Sequence, residues 1–487
     1  MSVPAPGASQ ALGNPETSTG AGEPESSGRG KEFPGAVRMP NEGKPVAVPR
    51  EGNLEAPTRH PLDWRNPEFY DETALNAELE RVFDICHGCR RCVSLCQSFP
   101  TLFDLVDNSD SLEVDGVAKA DYWKVVDQCY LCDLCYMTKC PYVPPHEWNL
   151  DFPHLMLRAK ALRHSKGETK LRDRALTSTD LMGAALANPV AAPVVNAVNR
   201  NTTLRRVLQR VGGVHAEAWL PEFTTKPLRK RLSVLPVDTP GQAAGRTRGK
   251  VALFATCFMN ANEPAPGEDL VAVFEHNGIP VTLAQKEQCC GMPKLELGDL
   301  EAVQRARDAN IPVLARLVDQ GWDLTALVPS CVLMFKQEIP LMFPDDPDVA
   351  KVKAAFFDPF EYLMIRHKEG LLKTDFKQGL GKVVYHAACH QRVQNIGPKT
   401  KEALSLIPDT TIETIERCSG HDGTYAVKEE FHALSMKIVK PVVTRVDQAA
   451  PDHYGSDCAM AGHHISRARG VGSAEHPITL LRKAYGV

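Results

Sequence analysis

Apolar residues follow a helical pattern in the first part of this chain and a strand pattern in the second. Four of them share a helical spacing just ahead of the first cysteines: Leu75, Leu79, Val82 and Phe83. They predict a helix over 71–83. Three short apolar runs replace that spacing further on: 250–255, 280–283 and 324–328. These runs predict buried strands with helices between them, and therefore an α/β region in the second half.

The strand pattern of the second half occurs twice. The first three runs end in Cys257, in Cys289-Cys290-Gly291 and in Cys331. Three further runs repeat this order: 382–386 before Cys389, 411–415 before Cys418, and 453–457 before Cys458. Open parallel sheets place ligand sites at the carboxyl ends of their strands. The sequence therefore predicts an internal duplication in which each copy gathers cysteines at one edge of its sheet.

Two segments lack a regular core pattern. Residues 1–60 are rich in Pro, Gly, Ser and Glu, and we expect a disordered tail there. Residues 166–247 predict a helical basic linker, whose stretch 200–232 carries eight cations and two anions. That charge is typical either of a solvated helix face or of a surface that docks an acidic partner or anionic lipid. The Ala-rich segment 181–198 is short for a membrane span, so we expect a buried or surface-lying helix.

Composition and charge narrow the class of protein. Of 487 residues, 43% are hydrophobic and 24% are charged, which is enough for a packed interior. The net charge of −4 gives no reason to expect nucleic acid as a partner. The first residues show neither the basic nor the apolar region of a secretory signal, so we expect a cytoplasmic location. In a reducing compartment, 15 cysteines in clusters indicate metal ligands rather than disulfides.

Eight cysteines form two runs with ferredoxin spacing. The first run is Cys86, Cys89, Cys92 and Cys96, and the second is Cys129, Cys132, Cys135 and Cys140, followed by Pro141. Two such runs are the signature of a bacterial two-cluster ferredoxin, in which the fourth cysteine of each run ligates the other cluster. We therefore assign one [4Fe–4S] cluster, cluster I, to Cys86, Cys89, Cys92 and Cys140. Cluster II takes Cys129, Cys132, Cys135 and Cys96. Zinc fits such three-cysteine runs poorly, because its ligands normally come in two pairs.

The cysteines that follow the strands predict further metal sites. Adjacent thiolates at Cys289 and Cys290 can ligate one metal assembly, and Gly291 lets the backbone bend close to it. With Cys257 and Cys331 they make four thiolates in the first copy. The second copy has three candidates: Cys389, Cys418 and Cys458.

The ferredoxin runs, followed by C-x31-C-C-G and its repeat, resemble the iron–sulfur oxidoreductase subunits that carry CCG domains. That family includes the CCG subunit of heterodisulfide reductase, the glycolate oxidase iron–sulfur subunit and the C subunit of anaerobic glycerol-3-phosphate dehydrogenase. The predicted fold class is α+β and α/β: a helical two-[4Fe–4S] ferredoxin-like domain followed by duplicated α/β CCG modules. The predicted boundaries are 61–165 for the ferredoxin-like domain, 248–375 for module 1 and 376–487 for a degenerate module 2.

The resemblance implies a further iron–sulfur centre in module 1 and makes module 2 a candidate for another. In heterodisulfide reductase the centre is a non-cubane cluster whose last ligands come from a C-x2-C pair. Here Met334 and Ala461 stand where that pair has its second cysteine, and Ser419 replaces one cysteine of the second CCG. Three thiolates in module 2 would hold a site-differentiated or three-iron cluster, unless a histidine adds a fourth ligand. The candidates are His386, His390 and His421.

The chain shows no flavin, nicotinamide or nucleotide motif of its own. The two-electron chemistry then belongs to a partner, for which we expect a flavoprotein dehydrogenase subunit. The leading hypothesis is an electron-transfer subunit that passes electrons to a quinone or another acceptor, with the basic linker as a candidate contact with the inner face of the membrane. The alternative is a catalytic reductase of heterodisulfides or thiols. A third hypothesis makes the CCG modules scaffold only.

Overall fold

The computed structural model describes residues 57–285 and 287–487. The predicted disordered tail lies outside these residues except for 57–60. Within that short stretch, the Arg59 side chain is only 6% exposed and forms an ion pair with Asp133 at 2.6 Å. The ordered chain therefore begins before residue 61.

The region that carries the eight ferredoxin-type cysteines is helical. Its helices are α1 (Glu72–Cys89), α2 (Ser98–Asp107), α3 (Tyr122–Val126) and α4 (Phe152–Ser165). A π-helical turn at Cys135–Lys139 lies between α3 and α4. Helix α1 begins at an Asp71 cap, whose carboxylate accepts a hydrogen bond from the Ala74 amide at 2.6 Å. The helix predicted at 71–83 is thus confirmed, and it continues to Cys89.

Four helices form the linker: α5 (Leu171–Leu176), α6 (Thr179–Leu186), α7 (Ala191–Arg200) and α8 (Thr202–Gly212). Segment 181–198 forms two helices instead of one, because Pro189 interrupts it and the Asn188 side chain caps the start of α7. In the described residues, no helix by itself has the length and hydropathy of a membrane span. In the same part of the chain, only the pair of α6 and α7 has this length and hydropathy, and the two helices are bent by 112° relative to each other.

The second half contains two parallel sheets, which confirms the predicted α/β architecture. The first sheet has the order β2-β1-β3-β4 and consists of β1 (Val251–Leu253), β2 (Val281–Leu283), β3 (Asp323–Thr325) and β4 (Phe356–Phe357). In its register, Leu253 lies level with Leu283 and Thr325, so three strands end at one edge. Eight helices accompany it: α9 (Cys257–Ala261), α10 (Ala265–His276), α11 (Met292–Leu297), α12 (Leu300–Asp319), α13 (Pro329–Leu333), α14 (Ile339–Met342), α15 (Pro347–Ala355) and α16 (Pro359–Lys368).

The second sheet repeats this arrangement with fewer strands. It has the order β6-β5-β7 and consists of β5 (Gly381–His386), β6 (Thr410–Ile415) and β7 (His453–Ser456). His386 lies level with Ile415 and Ser456, where all three strands end. Its helices are α17 (Cys389–Arg392), α18 (Lys399–Leu404), α19 (Glu429–Ala449), α20 (Ala459–Arg469) and α21 (Pro477–Tyr485).

One apolar core connects these regions. It includes Phe83 of α1, Phe254 after β1 and Leu481 of α21. A smaller core around Val384 and Val439 fills the other face of the second sheet. The cysteine-bearing loops of all three regions consequently face a shared interior.

Candidate metal centres

The cysteines assigned to cluster I lie together at the end of α1. Cys86 and Cys89 are on its last turn, Cys92 follows in the next turn, and Cys140 ends the π-helical turn. Burial raises the pKa of Cys86 well above its usual value, and Cys140, Cys92 and Cys89 raise it further. Burial followed by Cys140 and Cys89 likewise raises the pKa of Cys92 to about 12. The structure therefore brings Cys140, from the second run, to the first three cysteines of the first run.

The cysteines assigned to cluster II lie in a tight loop beside α2. Leu131 and Asp133 have positive φ angles of 55° and 59°, and this left-handed backbone curls the chain around its own thiols. Burial raises the pKa of Cys135 well above its usual value, with further contributions first from Cys129 and then from Cys96. Cys96 of the first run is thus close to the second run. The crossed ligand assignment itself stays a prediction.

The donor set fits iron–sulfur clusters. All 15 cysteines are free thiols. In the ferredoxin region, burial and mutual repulsion raise the pKa of neighbouring thiols, so these thiolates need an adjacent cation to become stable. Soft sulfur donors in groups of four suit iron–sulfur clusters.

Module 1 places four thiols at the carboxyl ends of its first three strands. Cys257 begins α9, which Thr256 caps by accepting a hydrogen bond from the Met259 amide at 3.1 Å. Cys289 and Cys290 follow β2, where the next residue, Gly291, has a φ of 98°. Cys331 follows β3 on α13 and is buried. The register of the sheet brings these three chain segments to one edge.

Cys289 is at the centre of this group. The thiols of Cys257 and Cys290 donate hydrogen bonds to it and lower its pKa well below the usual value. The start of α6 also reaches it: the Thr179 hydroxyl donates to Cys289 Sγ at 3.5 Å, and Asp180 Oδ2 accepts from the Cys289 amide at 2.6 Å. Neither of these linker residues was predicted, since no local pattern relates position 179 to position 289.

Module 2 brings its three cysteines together and adds a carboxylate. Cys389 begins α17 after β5, Cys418 follows β6, and Cys458 caps α20 after β7. The Cys418 thiol donates a hydrogen bond to Asp422 Oδ2 at 3.2 Å. Burial and then Asp422 raise the pKa values of Cys389 and Cys418 well above the usual value. Asp422 was not among the predicted site residues.

The three predicted histidine candidates have other partners. Both ring nitrogens of His386 are hydrogen-bonded: Ser456 Oγ lies 3.0 Å from Nδ1, and Nε2 donates to the Arg417 carbonyl at 2.8 Å. His390 Nε2 donates to the Leu131 carbonyl at 3.0 Å, which ties module 2 to the cluster II loop. The ring of His421 lies 6.2 Å from that of Trp219, and burial lowers its pKa to about 3.

The thiol groups of different regions are close to one another. Burial and then Cys389 of module 2 raise the pKa of Cys132 in the cluster II loop. Between the two modules lies Glu296 of α11, whose pKa burial raises to about 8, with opposite contributions from Lys160 and Asp422. Cys289 of module 1 contributes to the same shift. One interior therefore contains the cluster II loop and both modules.

Comparisons with known proteins agree with this arrangement. The family model of the cysteine-rich CCG domain matches residues 251–336 and 383–462, within the two predicted modules. Over 333 residues, the chain is 27% identical to the C subunit of anaerobic glycerol-3-phosphate dehydrogenase from Escherichia coli (strain K12), an alignment that covers 68% of this chain and 81% of that protein. Over 219 residues it is 29% identical to lactate utilization protein A of Bacillus cereus (strain B4264), and this alignment covers 43% of this chain and 87% of that protein.

Proposed function

This chain carries two CCG cysteine-rich domains, which confirms the family resemblance drawn from its cysteine spacing, and from that premise we propose that it is the iron–sulfur electron-transfer subunit of an oxidoreductase. The observation that carries the proposal is the continuity of the thiol groups. His390, next to Cys389 of module 2, donates to the carbonyl of Leu131, next to Cys132, at 3.0 Å. A Cβ on Gly423 of module 2 would collide with the carboxylate of Glu296, which lies on α11 directly after the Cys289-Cys290-Gly291 turn of module 1. Bound clusters would supply one-electron carriers along this series.

The chain's own residues shape the proposed carriers. Four groups of thiols provide their sulfur ligands, in sets centred on Cys86, Cys129, Cys289 and Cys389. The surrounding core keeps water away, because Cys129, Cys135, Cys290 and Cys331 are all less than 10% exposed. A dry thiolate site with few hydrogen bonds favours a low reduction potential, whereas the Thr179 hydroxyl and the Gly291 amide, which donate to the Cys289 sulfur, favour a higher one.

The partner in this proposal is a dehydrogenase subunit. One relative is named as a subunit of an anaerobic glycerol-3-phosphate dehydrogenase, so it works beside other subunits. We infer that a flavoprotein dehydrogenase donates electrons here too, and that a quinone or another acceptor receives them.

The linker helices are the proposed contact with the membrane. Seven large apolar side chains between 181 and 211 are between 37% and 85% exposed: Leu181, Val190, Val194, Val198, Leu204, Val207 and Val211. Arg206 and Arg210 are exposed on α8. Arg205 is not part of this surface, because it is buried and donates to the Ala218 carbonyl at 2.8 Å. Apolar and cationic side chains together suit an anionic membrane surface.

The test of the proposed function is metal analysis of anaerobically purified protein. We expect about twelve or more irons per chain, with sulfide, and EPR signals that titrate with potential. About eight irons would support the scaffold hypothesis for the modules. Cys92→Ser and Cys290→Ser serve as controls for each other, since each should lose only its own centre. Zinc in place of iron would contradict the proposal, and turnover of a disulfide by the chain alone would favour the reductase alternative.

Binding to lipid vesicles tests the membrane contact separately. Val207→Asp should weaken sedimentation with anionic vesicles, because it puts a charge into the apolar surface. Val471→Asp makes the same replacement at a valine that is 63% exposed outside the linker, and it should leave binding unchanged. Equal binding by wild type and Val207→Asp would contradict the membrane contact and leave the iron–sulfur proposal standing.

A further inference from the structure

A cavity of about 770 Å³ lies where the linker meets both modules. Helix α8 of the linker lines it with Arg205 and Arg206, and α20 of module 2 lines it with His463 and Arg467. His463 Nε2 lies 2.7 Å from the carboxylate of Glu263 in module 1, so three regions of the chain form the wall. A volume of this size is typical of a site for a small molecule. We call Arg205, Arg206 and Arg467 the cavity arginines.

Two of the cavity arginines converge on one short stretch of backbone. Arg205 Nη2 donates to the carbonyls of His215 and Ala218, at 2.8 Å in each case. Arg467 Nε donates to the carbonyl of Glu217 at 3.1 Å. Because 217 and 218 are neighbours, the two guanidiniums lie against the same turn although they come from α8 and α20. Like charges in such a place repel each other, and an anion between them would remove the repulsion.

Arg205 has donor capacity that the protein itself does not use. The residue is only 4% exposed, and its Nε has no hydrogen-bond partner within residues 57–285 and 287–487. A buried cationic donor without an acceptor is unfavourable unless a ligand supplies one. Burial and then Arg467 lower the pKa of Arg205, and a bound anion would act in the opposite direction.

The carboxylates of the cavity do not neutralise these arginines. Glu222 pairs with Arg200, whose Nε lies 2.7 Å from Glu222 Oε1. Glu263 pairs with His463, and the remaining glutamate, Glu217, is exposed. In the part of the chain that the structure describes, no carboxylate forms an ion pair with a cavity arginine. The cavity therefore offers cationic donors to an anionic ligand.

The exposed apolar surface of the linker continues from the same helix. Val207 follows Arg206 directly and is 52% exposed, and Val211 is 85% exposed one turn later. A ligand with its anionic group in the cavity and an apolar tail would lay that tail over these valines. A phospholipid has both parts, and its phosphate oxygens accept paired hydrogen bonds from guanidinium groups.

We propose that this cavity binds the phosphate headgroup of an anionic phospholipid, with the cavity arginines as its donors. The inference rests on the proposed membrane contact of the linker, to which it adds a specific lipid site. Because Arg467 belongs to module 2, a bound lipid would fix that module, as well as the linker, at the membrane surface.

The test uses the full, anaerobically purified chain and dihexanoyl-phosphatidylglycerol, a short-chain lipid that dissolves as single molecules. Calorimetric titration should show one lipid bound per chain. Arg467→Gln should weaken this binding about tenfold or more, because it removes a charge-assisted hydrogen bond to phosphate. Arg467→Lys keeps the charge but not the planar fork, so its affinity should fall between the two. The matched control is Arg445→Gln, which removes an exposed arginine of α19 that does not line the cavity and should bind like wild type.

Equal affinities of wild type and Arg467→Gln would overturn the inference, as would an equal loss in Arg445→Gln. Inorganic phosphate is the probe for the other source of the same anion. If it binds as tightly as the lipid, the cavity is a site for free phosphate and the lipid assignment is wrong.

Sedimentation with phosphatidylglycerol vesicles separates this inference from the membrane contact on which it rests. Both Val207→Asp and Arg467→Gln should weaken it. A loss in Val207→Asp alone would refute the lipid site and leave the contact standing, whereas no loss in either variant would refute both. Iron content should be the same in all these variants, so the iron–sulfur proposal is tested independently.

Discussion

Arg59 is the residue whose replacement we expect to damage the fold most. Its guanidinium donates two hydrogen bonds to Asp133, at 2.6 and 3.1 Å, and two to Asp151, at 2.8 and 2.9 Å. Glu338 accepts another at 3.3 Å. This network connects the cluster II loop, the start of α4 and the π-helical turn at Met334–Glu338. It therefore joins the ferredoxin region to module 1.

The burial of the network sets the magnitude. The exposed fractions are 6% for Arg59, 3% for Asp133 and 6% for Glu338, whereas Asp151 is 22% exposed and can regain water. Removing one partner of a buried ion pair costs about 3–5 kcal/mol, because the remaining charge is left uncompensated. Arg59→Ala leaves Asp133 without an ion-pair partner among the described residues, whereas Glu338 keeps His154 Nε2 at 3.1 Å. With a urea m-value of about 3 kcal/mol/M, the unfolding midpoint should fall by about 1–1.7 M.

Urea unfolding of the anaerobic protein measures this loss. Circular dichroism monitors the backbone, and visible absorbance monitors the cluster region. The matched control is Arg65→Ala, which removes an exposed arginine that stacks 5.2 Å from the Trp64 ring. An exposed contact of that kind is worth about 0.5–1 kcal/mol. Arg59→Lys keeps the charge but not the planar fork, so it should fall between the two. Equal midpoints for Arg59→Ala and Arg65→Ala would refute the reasoning.

Three further predictions concern single side chains. The pKa of His154 is raised: burial lowers it, but the neighbouring carboxylates of Asp151 and Glu338 raise it by more. The protonated ring therefore stabilises the fold below pH 6.5, and this contribution is lost as the pH rises through the pKa of the folded state. The stability difference between wild type and His154→Gln should therefore shrink with rising pH, and a constant difference would contradict this. Thr179→Val removes a hydrogen bond to the Cys289 sulfur and should lower the potential of the module 1 centre in an EPR redox titration, while unchanged potentials would exclude such tuning. Gly420→Ala should lower the free energy of unfolding in urea more than Gly291→Ala does. Both substitutions add strain of about 1–2 kcal/mol from positive φ, but only the first also places a Cβ 2.6 Å from a carbonyl oxygen. The reverse order would contradict this reasoning.

The sequence predicted those parts of the sites that depend on regular spacing. Cys86 and Cys89 occupy one helix turn, and the cysteines after β1, β2 and β3 meet because parallel strands end at one edge. Such placements follow from local geometry, so the pattern of residues contains them. The strand β4, only two residues long, offered no such pattern and was not predicted.

The residues that were missed depend on long-range or irregular structure. Asp422 reaches the thiols because of three positive φ angles in its loop, although the string Cys-Ser-Gly-His-Asp-Gly could have drawn attention to a carboxylate between two glycines. His386 was a candidate because it ends β5, yet its ring is occupied by Ser456 and Arg417. Arg59 was missed because it lies in a segment whose composition predicts disorder. That prediction rests on the lack of large apolar residues, whereas the Arg59 side chain is held in place by ion pairs.

The asymmetry of the two modules suggests an order for the proposed electron path. Module 2, with three cysteines and Asp422, faces the ferredoxin region, since His390 bonds to the Leu131 carbonyl and Cys389 interacts with Cys132. Module 1 also contacts the ferredoxin region, through the ion pair of Arg59 with Glu338, but its thiol Cys289 faces the linker, where the start of α6 contacts it through Thr179 and Asp180. The apolar surface of α6–α8 begins at Leu181, directly after those contacts. We infer that electrons enter at the ferredoxin region, pass module 2 and then module 1, and leave where the linker meets the membrane, so that a defect at Cys290 should block delivery to a quinone without preventing reduction of clusters I and II.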